Sequence, residues 1–288
     1  MKSSLLRWLG GGLIAALLIA LALGSWTYAR SEAYLRSFAR PPAFDFAIPS
    51  DAASLARGDH LVKTRGCGGC HGADLGGGLM GGFAVAANLP RLAREISAAD
   101  FEAALRHGIA HDGRAMYSMP SYNFLRLRDA DVADILAYLR SAPVVEKTLP
   151  RASLPWQIRW QLARGNDMAI AAVLDKVPPL AHTTDDSPLA RGEYLAMTTC
   201  NECHGLNLQG DSPFGDEAAP DLVVIAGYDE AAFSTLMRTG KALGNRELPM
   251  MSGVARGRFA HFTDDEVRDL YAFLGDKAAR RLAARETP

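Results

Sequence analysis

The chain has 288 residues, 49% of them hydrophobic and 22% charged, with a formal net charge of −1. A charge this close to balance leaves no basic excess for a nucleic-acid partner. Four cysteines are present, and they fall in two closely spaced pairs.

In chain order, residues 1–30 come first. Trp8 to Ala29 carries no charge and, at about 1.5 Å per residue, is long enough to cross a bilayer. Arg7 and Arg30 bound it, and Trp8, Trp26 and Tyr28 sit where interfacial aromatics belong. Ala20-Leu21-Ala22 and Ala22-Leu23-Gly24 resemble cleavage sites, so the segment reads as a transmembrane anchor or a signal. Its length and second aromatic girdle favour an uncleaved anchor. Residues 31–50, with Pro41-Pro42 and Pro49, read as a stiff tether holding the next unit off the membrane.

Residues 51–142 form a first unit. A helix is predicted near 52–65, a capped helix start at Ser97-Ala98-Ala99-Asp100, and a last helix with Val132, Ile135, Leu136 and Leu139 at helical spacing. Residues 143–186 read as a partly helical linker. There Trp156-Gln157-Ile158-Arg159-Trp160 opens a helix, Gly165 stops it, and an apolar run reaches Val177 before Pro178-Pro179. A short amphipathic hairpin packed on a neighbouring unit is expected, since one resting on the membrane surface would carry more basic residues. Residues 187–276 form a second unit, with a helix near 187–199, a full capping box at Thr263-Asp264-Asp265-Glu266, and Val267, Leu270 and Leu274 on a last helix. Residues 277–288 read as a tail.

The two units align with each other. Leu55-Ala56-Arg57-Gly58-Asp59-His60-Leu61 is answered by Leu189-Ala190-Arg191-Gly192-Glu193-Tyr194-Leu195, and His71-Gly72-Ala73-Asp74-Leu75 by His204-Gly205-Leu206-Asn207-Leu208. Residues 131–139 match 266–274 in the same way. No strand pattern is visible in either copy. The fold class is therefore all-α, a tandem duplication behind an N-terminal transmembrane helix.

Each copy carries Cys-x-x-Cys-His, as Cys67, Cys70 and His71 and as Cys200, Cys203 and His204. Two thiols one short turn apart can each form a thioether with a haem vinyl group, and the adjacent His supplies an axial nitrogen to iron. The pattern reads as two covalently bound haem c groups. A redox disulfide or half of a four-cysteine zinc site is the other reading of such a pair. A zinc site would have to join the two units. Domains this small and rich in Gly loops also need the haem as apolar packing surface.

On these residues each copy resembles a class I cytochrome c domain. The resemblance implies that the first and last helices cross at a Gly facing an aromatic, which Gly58 with Tyr138 and Gly192 with Phe273 would supply. It implies a Met as the sixth iron ligand, on a loop before the last helix. Met119, followed by Pro120, and Met251 are favoured because they lie at matching distances after His71 and His204, while Met116 and Met250 compete. It also implies a Pro whose neighbourhood accepts the hydrogen bond of the ligand His. Pro220 takes that place in the second copy, and the aligned Ala86-Ala87-Asn88-Leu89 lacks it in the first. His60, His107, His111, His182 and His261 are assigned surface or hydrogen-bonding roles, and no residue is assigned to catalysis.

Charge is unevenly spread. Residues 51–142 balance ten basic against ten acidic side chains, whereas 187–276 carry seven against fourteen. Glu202 to Glu230 is purely acidic, and Arg238, Lys241, Arg246, Arg256 and Arg258 cluster around the Met loop. Such a dipolar surface can orient a redox partner, with Arg256 and Arg258 expected at its rim. The expected function is an electron relay, anchored in the inner membrane by a single pass, with its haem domains in the periplasm. Expected partners are a dehydrogenase or quinol-linked complex on one side and an oxidase or soluble cytochrome on the other. A di-haem enzyme of peroxidase or thiosulfate-oxidising type and a haem-based sensor stay open as alternatives.

Overall fold

A computed structural model describes residues 2–42, 44–82, 84–182, 186–210 and 219–286. Helix α1 (Lys2–Leu35) exposes its apolar side chains from Trp8 to Leu23. Its Arg7–Leu35 stretch is long and apolar enough to cross a membrane. The helix does not end at Arg30, because the next turn finds partners. Leu35 is buried in a cluster with Ala103, Ile109, Ala115 and Leu162, and its carbonyl accepts a 2.7 Å bond from the Ala115 N–H. The tether expected from residue 31 thus begins as a helix docked on the first repeat.

In the first repeat, α2 (Ala52–Thr64) leads into α3 (Cys67–His71), which carries the first motif. An antiparallel ribbon of β1 (Gly78–Met80) and β2 (Ala84–Ala86) follows, then α4 (Leu89–Glu95), α5 (Ala98–His107), α6 (Ser121–Phe124) and α7 (Asp129–Ser141). The ribbon departs from the strand-free expectation, since runs of three residues offer no periodicity to read. Helix α2 crosses α7 at Gly58. A Cβ there would overlap the Asp134 carbonyl oxygen and sit 2.6 Å from Tyr138 Cβ. The neighbouring Arg57 clamps the crossing through a 2.7 Å ion pair with Asp134.

Helix α8 (Trp156–Arg164) stops at Gly165, whose φ of 73° is the left-handed cap that Gly accepts at least cost. It lies along α1. The rings of Trp26 and Trp160 meet edge-on, 6.1 Å between centroids, and Arg159 covers Tyr28 while pairing with Glu32 at 3.0 Å. The 3-10 helix Ile170–Lys176 then packs on α5 and α6. The linker therefore packs on the first repeat, as expected, and on the apolar N-terminal helix as well.

The second repeat runs through α9 (Pro188–Thr199), α10 (Asn201–His204), α11 (Glu230–Thr239), the strands β3 (Lys241–Ala242) and β4 (Arg246–Glu247), α12 (Met251–Gly257) and α13 (Asp264–Glu286). Its crossing copies the first. A Cβ on Gly192 would overlap the Asp269 carbonyl oxygen and lie 2.7 Å from Phe273 Cβ, and Arg191 pairs with Asp269 at 2.6 Å. The capping box is reciprocal: Thr263 Oγ1 accepts from the Glu266 N–H at 3.1 Å, and Glu266 Oε2 accepts from the Thr263 N–H at 2.7 Å. Helix α13 continues through the segment expected to be a tail. Residues 277–285 are mostly strong helix formers, Ala278 is buried, and Arg281 pairs with Asp221 at 2.8 Å.

A seam joins the repeats. Arg126 donates to the carbonyls of Pro178 at 2.6 Å and Met197 at 3.0 Å. The Tyr194 hydroxyl donates to Asp131 and accepts from the Arg128 N–H, and His60 bonds Glu266 at 2.9 Å.

Candidate functional site

Each motif sits on a single short turn at the end of the first long helix of its repeat. In both, the His main chain is locked from behind: the N–H of Gly77 donates to the His71 carbonyl at 2.8 Å, and that of Gly210 to His204 at 2.8 Å. Both glycines have positive φ, 78° and 95°, and a Cβ on either would press into the loop that returns past the histidine. Between them, Leu75 and Leu208 hold φ values of 57° and 67°. Left-handed backbone is costly for Leu. Here it is offset by burial of both side chains and by paired backbone bonds, Leu89 N–H to Leu75 and Leu222 N–H to Leu208.

That shared loop path aims the two histidines. His71 Nδ1 lies 2.8 Å from the Ala87 carbonyl oxygen, and His204 Nδ1 lies 2.8 Å from that of Pro220. The acceptor in the first repeat is thus a backbone carbonyl reached without a proline. With Nδ1–H donating to it, each ring leaves Nε2 as its free lone pair. Burial lowers both imidazole pKa values, partly offset by the carbonyl bond, and so favours the neutral, ligating form.

No disulfide joins the four cysteines, all of which lie among the described residues. Burial pushes Cys67 up to about 11 and raises the other three as well. A redox Cys-x-x-Cys pair works through a lowered thiol pKa instead. Among the described residues no three His, Cys, Asp or Glu side chains gather as a metal cage, so the two pairs do not join in one zinc site. The donor set fits haem instead: paired thiols, one oriented imidazole, and unfilled polar demand close by. Asn123 and Asn201 are fully buried, and neither end of either amide has a hydrogen-bond partner among the described residues.

Of the methionines, Met119 packs half-buried on the core of the first repeat and Met251 on that of the second. Met116 is held by its backbone, to Gly108 and Ile170, and Met250 is 55% exposed. His107 and His182 bond Glu102 and Glu193, which with His60 and Glu266 makes three histidine–carboxylate pairs; His111 and His261 are exposed.

The basic cluster is less free than expected. Lys241 and Arg256 share Glu247, and Arg238 bonds Asp264. Arg258 does not lie at a rim: its side chain is 12% exposed and turned into the inter-repeat seam. Asp211, Asp216 and Glu217 of the acidic stretch lie outside the described residues. The Arg-Gly/Asp clamps, Leu75 with Leu208, and Arg258 all escaped the sequence reading. The clamps alone had a signal, since Arg57 and Arg191, and Asp134 and Asp269, stand at matching places in the repeat.

Comparison with known proteins gives the same outline. A family profile described as cytochrome c matches residues 55–143 and 189–276. The chain is 25% identical over 265 residues to the alcohol dehydrogenase (quinone), cytochrome c subunit, of Gluconobacter oxydans (strain 621H), covering 78% of this chain and 55% of that one. It is 30% identical over 261 residues to the fructose dehydrogenase cytochrome subunit of Gluconobacter japonicus, covering 79% and 53%. The gluconate 2-dehydrogenase cytochrome c subunit of Pantoea cypripedii is 30% identical over 173 residues, 53% of this chain and 38% of that one. The chain spans about half the length of the first two relatives.

Proposed function

The chain belongs to the cytochrome c family, and from that premise we propose that it is a membrane-anchored di-haem electron relay serving a dehydrogenase. One observation carries the reading: two Cys-x-x-Cys-His turns, each with the same His-to-carbonyl bond, linked across one seam. Cytochrome c domains hold covalently bound haem c. Here Cys67 and Cys70 tether one group and Cys200 and Cys203 the other. When bound, such a group would supply one-electron redox chemistry.

The remaining work belongs to this chain's side chains. His71 and His204 would offer Nε2 to the iron, and their bonded Nδ1–H fixes ring orientation and raises ligand basicity. Met119 and Met251 would supply the sulfur ligands, each packed half-buried against the core of its own repeat. The Arg-clamped helix crossings keep each motif rigid against the helix that follows the Met loop.

Three relatives named as cytochrome subunits of alcohol, fructose and gluconate dehydrogenases support a dehydrogenase as electron donor. An oxidase or soluble cytochrome is the acceptor. The apolar α1 makes one pass of the inner membrane, with both repeats in the periplasm.

Haem quantification on the denatured chain tests the reading. Two haems are expected, with Cys67→Ala and Cys200→Ala each leaving one stably attached. Met119→Ala or Met251→Ala should abolish the sulfur-to-iron charge-transfer band of one haem, and Met250→Ala should leave both. No covalent haem, or bound zinc, overturns the reading.

A further inference from the structure

The two attachment turns share one side chain. Arg258 Nε donates to the Thr64 carbonyl at 2.8 Å, three residues before Cys67. Its Nη1 pairs at 3.1 Å with Glu202, which stands between Cys200 and Cys203. We propose that Arg258 is the residue that sets the potentials of both haems together, a fixed positive charge seated between the two attachment turns. This rests on the di-haem reading above.

Three further features seat the charge there. Gly66 has φ 76°, and a Cβ on it would lie 3.0 Å from Arg258 Cδ and Nε and 3.1 Å from Cζ. The guanidinium therefore lies against the bare backbone of the turn that enters Cys67. Arg258 also follows directly on α12, the short helix that begins with Met251, so one stretch of chain carries the second site's proposed sulfur ligand and reaches the turn that enters the first site's cysteines. Finally, the Arg258 side chain is only 12% exposed, so its charge is held in the seam rather than spread into solvent.

The physical consequence has a definite sign. Reduction removes one positive charge from the iron, so a nearby cation in a water-poor seam favours the reduced form and a nearby carboxylate the oxidised form. Arg258 raises both potentials and Glu202 opposes it. Substituting Arg258 also removes the cation that pairs with Glu202 at 3.1 Å, which adds to the fall. Because the guanidinium touches both turns, the two midpoints should move in the same direction.

The test is spectroelectrochemical titration of the full chain in detergent, with haem content measured on every variant. Arg258→Gln, which keeps donors but not charge, should shift the oxidised/reduced equilibrium of both haems at least threefold toward oxidised, about 28 mV at ~59 mV per tenfold. Glu202→Gln should shift both the other way. Arg258→Lys should restore most of the wild-type midpoints, and the Arg258→Gln/Glu202→Gln double variant should fall between the single ones. Midpoints that stay put in Arg258→Gln, movement of one haem only, or Arg258→Lys behaving as Arg258→Gln overturns the inference while leaving the relay intact. Fewer than two haems on the wild-type chain overturns both. Should Arg258→Gln fail to fold, Glu202→Gln decides through the sign and the pairing of its shifts.

Discussion

Gly192→Ala should unfold the second repeat far more readily than its single added methyl suggests. The new Cβ would sit 2.7 Å from Phe273 Cβ and overlap the carbonyl oxygen of Asp269. Carbon atoms pack at about 3.5–4.0 Å, so α9 and α13 must part by about 1 Å. The obstacle is backbone, and Arg191 ties the adjoining Asp269 in place at 2.6 Å, so rotation of a side chain cannot relieve it. Overpacking of a core costs about 1–3 kcal/mol, and this site belongs at the upper end. A domain of this size loses about 4–8 °C per kcal/mol, which makes the expected fall about 12–24 °C. Gly275 on the same α13 is the internal control, because a Cβ there meets nothing within 4 Å. Gly275→Ala should hold or raise the melting temperature, through a helix propensity gain of up to about 1 kcal/mol. Thermal melts followed by circular dichroism and by visible absorbance, at one scan rate, make the comparison. If Gly192→Ala melts within about 3 °C of the parent, or Gly275→Ala falls as far, the close-crossing argument is wrong.

Two other perturbations probe the packing around the repeats. Arg159, 11% exposed, bonds Ser31 and Glu32 and covers Tyr28; a charge-assisted hydrogen bond contributes about 1.5–3 kcal/mol, so Arg159→Ala should release α8 from α1 and raise limited proteolysis near 150–165 about tenfold or more, with the melting of the repeats unchanged. Burial by itself raises the Glu193 carboxyl, but the N–H groups of Ala181 and His182 and the His182 ring hold it below the usual glutamate range. A depressed carboxyl stabilises fully above its unfolded pKa of about 4.3 and loses that contribution as pH falls through the folded value. Segment 180–182 should therefore open on acidification below about pH 4.3, and Glu193→Gln should show the same opening at neutral pH by proteolysis or hydrogen exchange.

The features legible in the chain are those that one short run of residues can specify. Cys-x-x-Cys-His is such a run, and so are the reciprocal caps at Thr263 and Glu266, the stop at Gly165, and the repeated segments of the duplication, whereas the facing of Gly58 with Tyr138 and of Gly192 with Phe273 is implied by the family resemblance. Each depends on bonds or contacts that recur with helical geometry, so spacing is enough to find it. The helical class follows for the same reason, and the two ribbons are too short for any period to show.

Other features depend on where separate runs meet. The partner of His71 is a main-chain carbonyl, which every residue has, so no side chain at position 87 could announce it; the left-handed Leu75 and the turn at Gly77 bring that carbonyl to 2.8 Å. Arg258 looked like one more exposed base in a basic cluster, because sequence gives its charge but not its surroundings. Only the docking of the repeats buries it between Thr64 and Glu202, 194 and 56 residues away. In the same way the turn after Arg30 is helical because Leu35 finds a buried place on the first repeat. Local sequence specified the parts that bind; long-range packing set the charge and the carbonyls around them, because burial and proximity arise only when distant segments share a surface.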